Sequence, residues 1–287
     1  MSITQEITRD NLKPSGEHGQ AALKLAGTFS RTLVKVAIYA LAVGLIWELV
    51  YLIMVQWFQV WVAALFPSPL EVLTAIADHL ADGTLPRATF ASFNRLLIGF
   101  GISLPLGVLM GLGLSGKGWF KKAVGPLVLG FQALPRICWL PLAILWFGLN
   151  ERSIIFVVVM GSVFSVTIAT YDGTKLISPL QLRAAHNMGV KGWGLFWRVV
   201  LPAALPAILG GARQGWSFAW RSLLAGELLT AGIGLGNLLN QGRDLTDMPL
   251  VMAVMVVIIT LGLAVDQLVL NKVERAISLR YGLAQHN

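Results

Sequence analysis

Charged residues and cysteines are both scarce in this sequence. Only 13% of the 287 residues are Asp, Glu, Lys or Arg, whereas 56% are hydrophobic, and a soluble domain usually carries roughly 25% charged residues. The single cysteine, Cys138, cannot form an internal disulfide, and no cluster of cysteine and histidine has the spacing of a metal site. We therefore expect a chain whose main solvent is not water, with no redox or metal chemistry and no cofactor of its own.

Long apolar stretches account for the low charge. A helix needs about 20 apolar residues to cross roughly 30 Å of hydrocarbon. Stretches of suitable length occupy residues 33–51 (with an apolar extension to 66), 92–114, 124–147, 154–171, 203–231 and 249–270. They predict an all-α integral membrane domain with about six transmembrane helices over residues 33–272. Residues 1–32 and 273–287 are then polar tails, and no separate soluble domain remains.

The distribution of charge predicts how the chain is oriented. If the N-terminus is inside, the cytoplasmic segments hold most of the basic residues, and the opposite loops hold more acidic than basic ones. This asymmetry follows the positive-inside rule, so both termini are expected in the cytoplasm. It also accounts for the net charge of +8 without a nucleic-acid partner.

A short segment between the fourth and fifth stretches has strong helix-boundary signals. Ser178 is a helix-capping residue type, Gln181 is placed to complete a capping box, and Pro179 occupies the first helical position. A glycine at 189 is suited to the left-handed conformation that ends a helix after Met188. Such a helix is too short to cross a bilayer and marginal alone in water, so it requires a partner. Aromatic residues at helical spacing after Gly192 then predict an interfacial amphipathic helix leading to Pro202.

Two glycine-rich motifs near residue 111 do not predict a nucleotide site. Residues 111–116 spell G-x-G-x-x-G, and residues 111–117 spell most of a P-loop. Both motifs need a preceding strand, whereas here an apolar helix precedes them, and Gly118 replaces the Ser or Thr that would hold magnesium. Gly107 and Gly111 instead form a small-xxx-small pair that lets helices approach closely. The chain is therefore expected to lack an ATPase site of its own.

Polar residues inside the predicted spans are candidates for a solute path, because a charge in the bilayer is costly and normally faces protein or water. Arg213, Ser217 and Arg221 follow one another at i, i+4 and i+8 in the fifth span, and Glu227 falls near the same face. This stripe can attract an anion. Alternatively, its arginines pair with carboxylates of other helices or extend to an interface.

The third stretch contains a second candidate. Arg136 lies between Pro135 and Pro141, and prolines can open helical hydrogen bonding towards a cavity. Trp139 lies beside it, either on the path or as packing. For Arg136 too, both interpretations, solute contact and structural pairing, remain open.

The cytoplasmic segment 174–202 resembles the signature loop of bacterial ABC importer permeases. That pattern is E-A-A, three residues, Gly, nine residues, an aliphatic residue, one residue, Leu-Pro, and every spacing is matched here. Arg183 stands where the family has glutamate. In the family, the short helix docks in a groove of the ATPase subunit. The resemblance therefore implies a coupling role for Arg183, Ala184, Ala185, Met188, Gly189, Leu201 and Pro202.

Other segments resemble one branch of this family. Residues 66–69, 134–148 and 215–228 look like the permeases for nitrate, sulfonates such as taurine, and bicarbonate; thiamine-precursor and riboflavin permeases are also similar. The resemblance implies a non-enzymatic subunit of the bacterial inner membrane that imports a small, anionic solute. Implied partners are a second permease subunit forming a homodimer, two ATPase subunits that hold ATP and magnesium, and an extracytoplasmic solute-binding protein.

Two other classes of membrane protein remain as alternatives. An ion-coupled secondary transporter could use Glu48, Glu227 and Asp266 as ion carriers. However, such transporters are typically built from inverted repeats with discontinuous helices, and neither feature is expected here. A membrane scaffold without transport activity would leave the capped cytoplasmic helix without a purpose.

Overall fold

The computed structural model describes residues 38–39, 41–62, 64–116, 118–230 and 232–274. The chain divides into two compact units, Met1–Leu70 and Glu71–Asn287. The predicted tail 1–32 lies outside the described residues, as does nearly all of the predicted tail 273–287. Every regular element in the described ranges is helical, which confirms the predicted all-α class.

The first unit contains one apolar helix, α1 (Leu41–Trp57). Trp47, within α1, contacts the segment that follows the helix. Its indole N–H donates to the carbonyl oxygen of Pro67 at 3.2 Å, and the ring of Phe66 contacts the rings of Trp47 and Trp61.

The second unit consists of helices joined by short connections. Several continue through a short 3₁₀ or π segment and are counted here as single helices. They are α2 (Pro69–Ala81), α3 (Thr84–Ser115), α4 (Trp119–Ala133), α5 (Arg136–Phe147), α6 (Glu151–Lys175), α7 (Pro179–Asn187), α8 (Gly192–Leu229), α9 (Leu235–Asp244) and α10 (Met248–Glu274).

In the described part of the chain, α3, α6, α8 and α10 are each long and apolar enough to cross a membrane. They contain the second, fourth and sixth predicted stretches and residues 203–229 of the fifth. Helix α3 begins earlier than predicted, after Gly83, whose φ of 78° suits glycine. There the backbone N–H of Thr84 donates to Asp82 at 2.7 Å, and this bond lowers the pKa of the Asp82 carboxyl below its usual range.

Helices α3, α6 and α8 form the centre of the unit, and glycines let them approach closely. A Cβ atom added at Gly107 of α3 would lie 2.7 Å from the Cβ of Val166 in α6. One added at Gly111 would lie 2.5 Å from the carbonyl oxygen of Thr167. The predicted packing role of this glycine pair is therefore confirmed, and the glycine-rich motif at 111–116 ends a long helix rather than following a strand.

The third predicted stretch, 124–147, is broken in the middle. Helices α4 and α5 meet there at an angle of 106°. Leu134 has extended backbone (φ −68°, ψ 133°), because proline at 135 disfavours helical conformation in the residue before it and has no N–H to donate. The expectation that no discontinuous helices occur was therefore wrong. The pair counts as one bent span or as a re-entrant loop, giving four or five candidate spans in the described residues.

Two further differences concern the start of α8 and the helix that follows it. The interfacial helix predicted after Gly192 does not end at Pro202 but continues through the π-helical segment Phe196–Val200 into the fifth span. Proline at 202 is the second residue of the α-helical part of α8, directly after the π-helical segment. Helix α9 was not predicted, although its leucines at 235, 238 and 239 have helical spacing.

Candidate coupling and translocation sites

Helix α7 has the boundaries that its sequence predicts. The hydroxyl of Ser178 accepts a hydrogen bond from the backbone N–H of Leu180 at 3.3 Å, so the cap forms. The second bond of a capping box, from Gln181, is not present. At the other end Gly189 adopts φ 78°, and its N–H donates to the carbonyl oxygen of His186 at 3.0 Å.

One face of α7 is uncovered. Leu180 and Met188 are 74% and 75% exposed, and Arg183, Ala184 and Asn187 are exposed on the same side. The spacing of these residues (180, 183, 184, 187, 188) defines a single helical face, which we call the α7 face. It presents two apolar side chains and one cation, a composition suited to docking in a groove of another protein.

The other predicted coupling residues lie elsewhere. Ala185 is 2% exposed and packs within its own chain, so it is not part of the α7 face. Leu201 and Pro202 are half-buried inside α8, whose π-helical segment contacts α7. Gly189 is exposed and has open space around its Cα. The segment 174–202 thus combines an exposed helical face with residues that are buried or half-buried within the chain.

The helix break between α4 and α5 places Arg136 beside α6 and α8. The Arg136 guanidinium carbon lies 3.4 Å from the ring centroid of Phe218 in α8, and its Nε donates to the carbonyl oxygen of Gly161 at 3.2 Å. Arg221 is close enough to act on it electrostatically. Within the described ranges, no carboxylate pairs with either arginine.

Unpaired polar atoms surround this break. The side-chain oxygens of Gln132 and Ser222 are buried and have no hydrogen-bond partner among the described residues. Trp139 stacks on Phe164, with ring centroids 6.3 Å apart, and lines a narrow pocket with Gln132 and Arg136. We call Gln132, Arg136, Arg221 and Ser222 the break cluster. Its excess of positive charge and the hydroxyl of Ser222, which can donate a hydrogen bond, are suited to holding an anion, whereas the free Gln132 oxygen can only accept one.

Arg213, the first member of the predicted stripe, is paired instead. Its Nε and Nη2 atoms donate to the carboxylate of Asp266 at 2.9 and 2.8 Å, and its Nη1 donates to Glu274 at 2.9 Å. The hydroxyl of Ser217 donates to the Arg213 carbonyl oxygen at 3.4 Å. Arg213 therefore ties α8 to the end of α10, while Arg221, two turns further along, belongs to the break cluster.

Glu227 lies in a buried ionic cluster that the sequence analysis did not find. It is 1% exposed, and it accepts hydrogen bonds from Arg95 and Ser92 of α3, both at 2.8 Å. Arg95 also donates to Glu151 at 2.7 Å. We call Ser92, Arg95, Glu151 and Glu227 the α3 lock. It joins α3, α6 and α8 at the end of the bundle opposite α7.

Arg95 was missed because it lies near the start of the second apolar stretch, where a charge is inexpensive. The signal was nevertheless present: one arginine in that stretch and one carboxylate, Glu227, near the end of another. Glu227 has its carboxylate fully engaged, which gives it a structural role in this conformation. Its predicted place on the solute path stays a prediction.

Comparison with known proteins places this architecture in a family. Residues 103–278 match the family described as "Binding-protein-dependent transport system inner membrane component". A probable ABC transporter permease protein of Brucella melitensis is 35% identical over 213 residues, covering 72% of this chain and 84% of the relative. A putative aliphatic sulfonates transport permease protein of Escherichia coli is 31% identical over 244 residues, covering 84% of this chain and 91% of the relative.

A solved structure shares the fold. The crystal structure of an amino acid ABC transporter contains a chain that superposes with a TM-score of 0.59 at 15% identity, covering 70% of this chain and 97% of that one. At this identity the likeness concerns the fold alone. The family match spans more than half of this chain, and the relatives align over most of their own length. The chain belongs to the family of inner membrane components of binding-protein-dependent transport systems.

Proposed function

We propose that this ABC importer permease subunit carries a small anionic solute of the nitrate, sulfonate or bicarbonate class past the break cluster, and that a separate ATPase subunit drives it through the α7 face. Members of this family are transport subunits and do not hydrolyse ATP themselves. Two points are therefore proposed: the surface that receives the motion and the chemistry of the cargo.

The α7 face supports the first point. A nine-residue helix has little stability of its own, yet this one is fixed at both ends and leaves Leu180 and Met188 uncovered. Exposed apolar side chains at helical spacing are typical of a helix that fits a groove. Arg183, in place of the family's glutamate, adds a cation to this face. We therefore expect an acidic side chain on the matching surface of the ATPase subunit.

Cross-linking tests the docking surface. In a Cys138→Ser background, Met188→Cys and Leu180→Cys should each form a cross-link to the co-purified ATPase subunit. Ala185→Cys is the matched control on the buried side of the same helix, and it should not cross-link. Equal cross-linking at 185 and 188, or none at 180 and 188, would exclude this docking face.

The rigid end of α7 gives a second test. Gly189→Pro removes the N–H that bonds His186 and cannot adopt the positive φ found there. We expect the assembled complex to hydrolyse ATP while transport falls about 10-fold or more, because the helix no longer transmits motion. Unchanged transport in this variant would count against coupling through α7.

The break cluster supports the anionic cargo. Half-buried Arg136 and exposed Arg221 have no carboxylate partner among the described residues and repel each other electrostatically, and Arg136 lies near the buried hydroxyl of Ser222. Holding two cations together in low dielectric is unfavourable unless an anion visits. The relative from Escherichia coli named for aliphatic sulfonates points in the same direction. Stimulation of ATP hydrolysis by taurine, nitrate and bicarbonate, each tested with the cognate binding protein, identifies the solute. Stimulation only by a cation or a neutral vitamin would contradict the proposal.

We also propose the membrane topology that the charge pattern predicts. Helix α1 would provide a sixth span in addition to the bent pair and the four long helices, with both termini and α7 in the cytoplasm. In the Cys138→Ser background, Met188→Cys should react with a membrane-impermeant maleimide only in inverted vesicles, and Asp244→Cys only in intact cells. The reverse pattern would overturn this orientation.

The proposed assembly is a homodimer of this chain with two ATPase subunits, which bind ATP and magnesium, and an extracytoplasmic solute-binding protein. This chain itself would bind no cofactor. Light scattering of the purified complex gives the copy number, and a one-to-one ratio of permease to ATPase subunits with two of each is the expected result.

An ion-coupled mechanism has little support from the carboxylates proposed for it. Asp266 is paired with Arg213, and Glu227 is enclosed in the α3 lock, so neither is free to exchange an ion. The bent pair α4–α5 is a discontinuous helix, but it carries arginines rather than carboxylates. Uptake that persists without ATP and stops with an uncoupler would restore this alternative.

A further inference from the structure

A cleft with basic and apolar walls lies between the end of α3, the start of α4 and the end of α6. Its volume is about 320 Å³. Leu114 and Val128, both buried, and half-buried Ile168 form apolar walls. Lys121 and Lys175 lie at the end of the cleft that coincides with the termini of α4 and α6. We call this the basic cleft. The α3 lock and the break cluster do not include any of its residues.

The two lysines of the basic cleft flank one aromatic ring. The ammonium nitrogen of Lys175 lies 3.7 Å from the ring centroid of Tyr171, and that of Lys121 lies 5.5 Å from it. Asp172 is the single carboxylate that lines the cleft, and it bonds Lys175 at 3.1 Å. Lys122, the neighbour of Lys121, lies in an adjoining groove. The cations therefore outnumber the carboxylate, and the cleft attracts a negative charge.

The start of α4 lacks the negative charge that usually stabilises the N-terminal end of a helix. Gly118 precedes the helix and supplies no side-chain cap, and the first turn contains no acidic residue. Instead it contains Lys121 and Lys122. Cations at this position are unfavourable, because the N-terminal end of a helix carries a partial positive charge and unpaired N–H groups. An anion bound between Lys121 and Lys175 would relieve this repulsion, in addition to the attraction of the cleft itself.

We propose that the basic cleft binds an anionic phospholipid, with its phosphate between Lys121 and Lys175 and one acyl chain along Leu114, Val128 and Ile168. The apolar walls favour a lipid over a soluble phosphate, since free phosphate would leave them uncovered. Basic pockets between transmembrane helices on the cytoplasmic side are suited to such headgroups. The inference rests on the proposed function for its orientation, which places this end of α4 and α6 in the cytoplasmic leaflet.

The lipid would connect the membrane composition to transport. It would fasten the start of α4 to α6, and the other end of α4 is the helix break that carries Arg136. Because α4 is held at one end and broken at the other, the bound lipid would limit how far the break can open. We therefore expect anionic lipid to change the transport rate without taking part in solute binding.

Lipid titration of the intact permease–ATPase complex tests the site. Delipidated complex in detergent is titrated with dioleoylphosphatidylglycerol or dioleoylphosphatidylcholine, and binding is measured by native mass spectrometry. Two lysines near a lipid surface correspond to roughly a 30-fold preference for the anionic lipid. Lys121→Gln with Lys175→Gln should abolish this preference. The matched control, Lys191→Gln with Lys272→Gln, changes exposed lysines outside the cleft and should keep it.

A second variant keeps the test decisive if the double variant does not fold. Asp172→Asn removes the only carboxylate that lines the cleft and should tighten phosphatidylglycerol binding about 5-fold. Inorganic phosphate at millimolar concentration should not displace the lipid. An unchanged preference in the Lys121/Lys175 variant, weaker binding in Asp172→Asn, or displacement by free phosphate would each overturn the proposal.

The same preparations separate this inference from the proposed function. Lipid preference is measured without solute, whereas coupling is measured as ATP hydrolysis stimulated by the binding protein. Loss of coupling with an intact lipid preference would contradict the proposed function alone. Intact coupling without a lipid preference would contradict the lipid site alone.

Discussion

The α3 lock and the break cluster place arginines inside the same helix bundle in opposite ways. In the α3 lock, Arg95 reaches two carboxylates and its partner Glu227 is enclosed by hydrogen-bond donors. In the break cluster, Arg136 lies on the ring of Phe218, beside oxygens that have no partner in the described part of the chain. Both regions contact α6 and α8, so they share the same surrounding helices. They differ in whether their arginines pair with carboxylates.

This difference separates charges that hold the fold from charges that are available to a solute. A buried ion pair contributes to the packing of the helices it joins, and removing one partner leaves an uncompensated charge. In the α3 lock the Glu227 carboxylate has several donors, and Arg95 Nε is the one buried atom without a hydrogen-bond partner among the described residues. Unpaired polar groups in a membrane protein cost free energy and persist where they serve a ligand or an aqueous path. The comparison therefore predicts large effects on stability in the α3 lock and large effects on transport in the break cluster.

The largest expected loss of stability follows removal of Arg95. Arg95→Ala leaves Glu227 buried and unpaired, which should lower the free energy of unfolding by about 3–5 kcal/mol. Arg243→Ala is the matched control, because Arg243 pairs with Asp244 at the surface and such pairs contribute about 0–1 kcal/mol. Thermal unfolding of the purified complex measures both. A similar small change in the two variants would remove the distinction drawn for the α3 lock.

The glycine contacts between α6 and α8 should come next. A Cβ at Gly211 would lie 2.2 Å from the Cβ of Ala169, whereas one at its neighbour Gly210 would meet nothing within 4 Å. Gly211→Ala should therefore destabilise by about 1–3 kcal/mol through overpacking. Gly210→Ala should be neutral or slightly stabilising, since alanine is the better helix former. Equal melting temperatures for these adjacent substitutions would show that α6 and α8 are not in such close contact.

Two buried serines, with effects on stability no larger than those of the glycines, compare the α3 lock with the break cluster. Ser92 donates to Glu227, so Ser92→Ala should cost about 1–3 kcal/mol by leaving the carboxylate short of a donor. Ser222 has no partner among the described residues, so Ser222→Ala should be neutral or stabilising. Solute uptake should instead fall in Ser222→Ala. A loss of stability at Ser222 equal to that at Ser92 would mean that the break cluster is a structural network too.

Much of the bundle could be predicted from the sequence, because hydrophobic length and helix caps are local signals. The spans of α3, α6, α8 and α10, the start of α7 and the close approach at Gly107 and Gly111 all follow from such signals. The class of transporter rested on the spacing of Arg183, Gly189 and Pro202, and the family match confirms that class.

The rest depended on which residues meet in space. Prolines at 105, 126 and 206 lie inside continuous helices, whereas the chain breaks at Pro135, so the presence of a proline does not by itself predict where a helix is interrupted. Likewise the stripe on α8 could not show that Arg213 faces α10 while Arg221 faces the break. Arginines on the same face of one helix have different roles because different helices lie next to them. The residue pattern of a single helix does not show which helices are its neighbours.

Arg136, which has no carboxylate partner among the described residues, is expected to serve the solute rather than the fold. Uptake of the identified anion into proteoliposomes by the complete complex tests it most directly in Arg136→Gln and Arg136→Lys, with Arg243→Gln as a surface control. Our account predicts that Arg136→Gln keeps its assembly and melting temperature but loses uptake by about 10-fold or more, while Arg136→Lys retains part of it. Wild-type uptake in Arg136→Gln, or loss of uptake only through unfolding, would contradict the account.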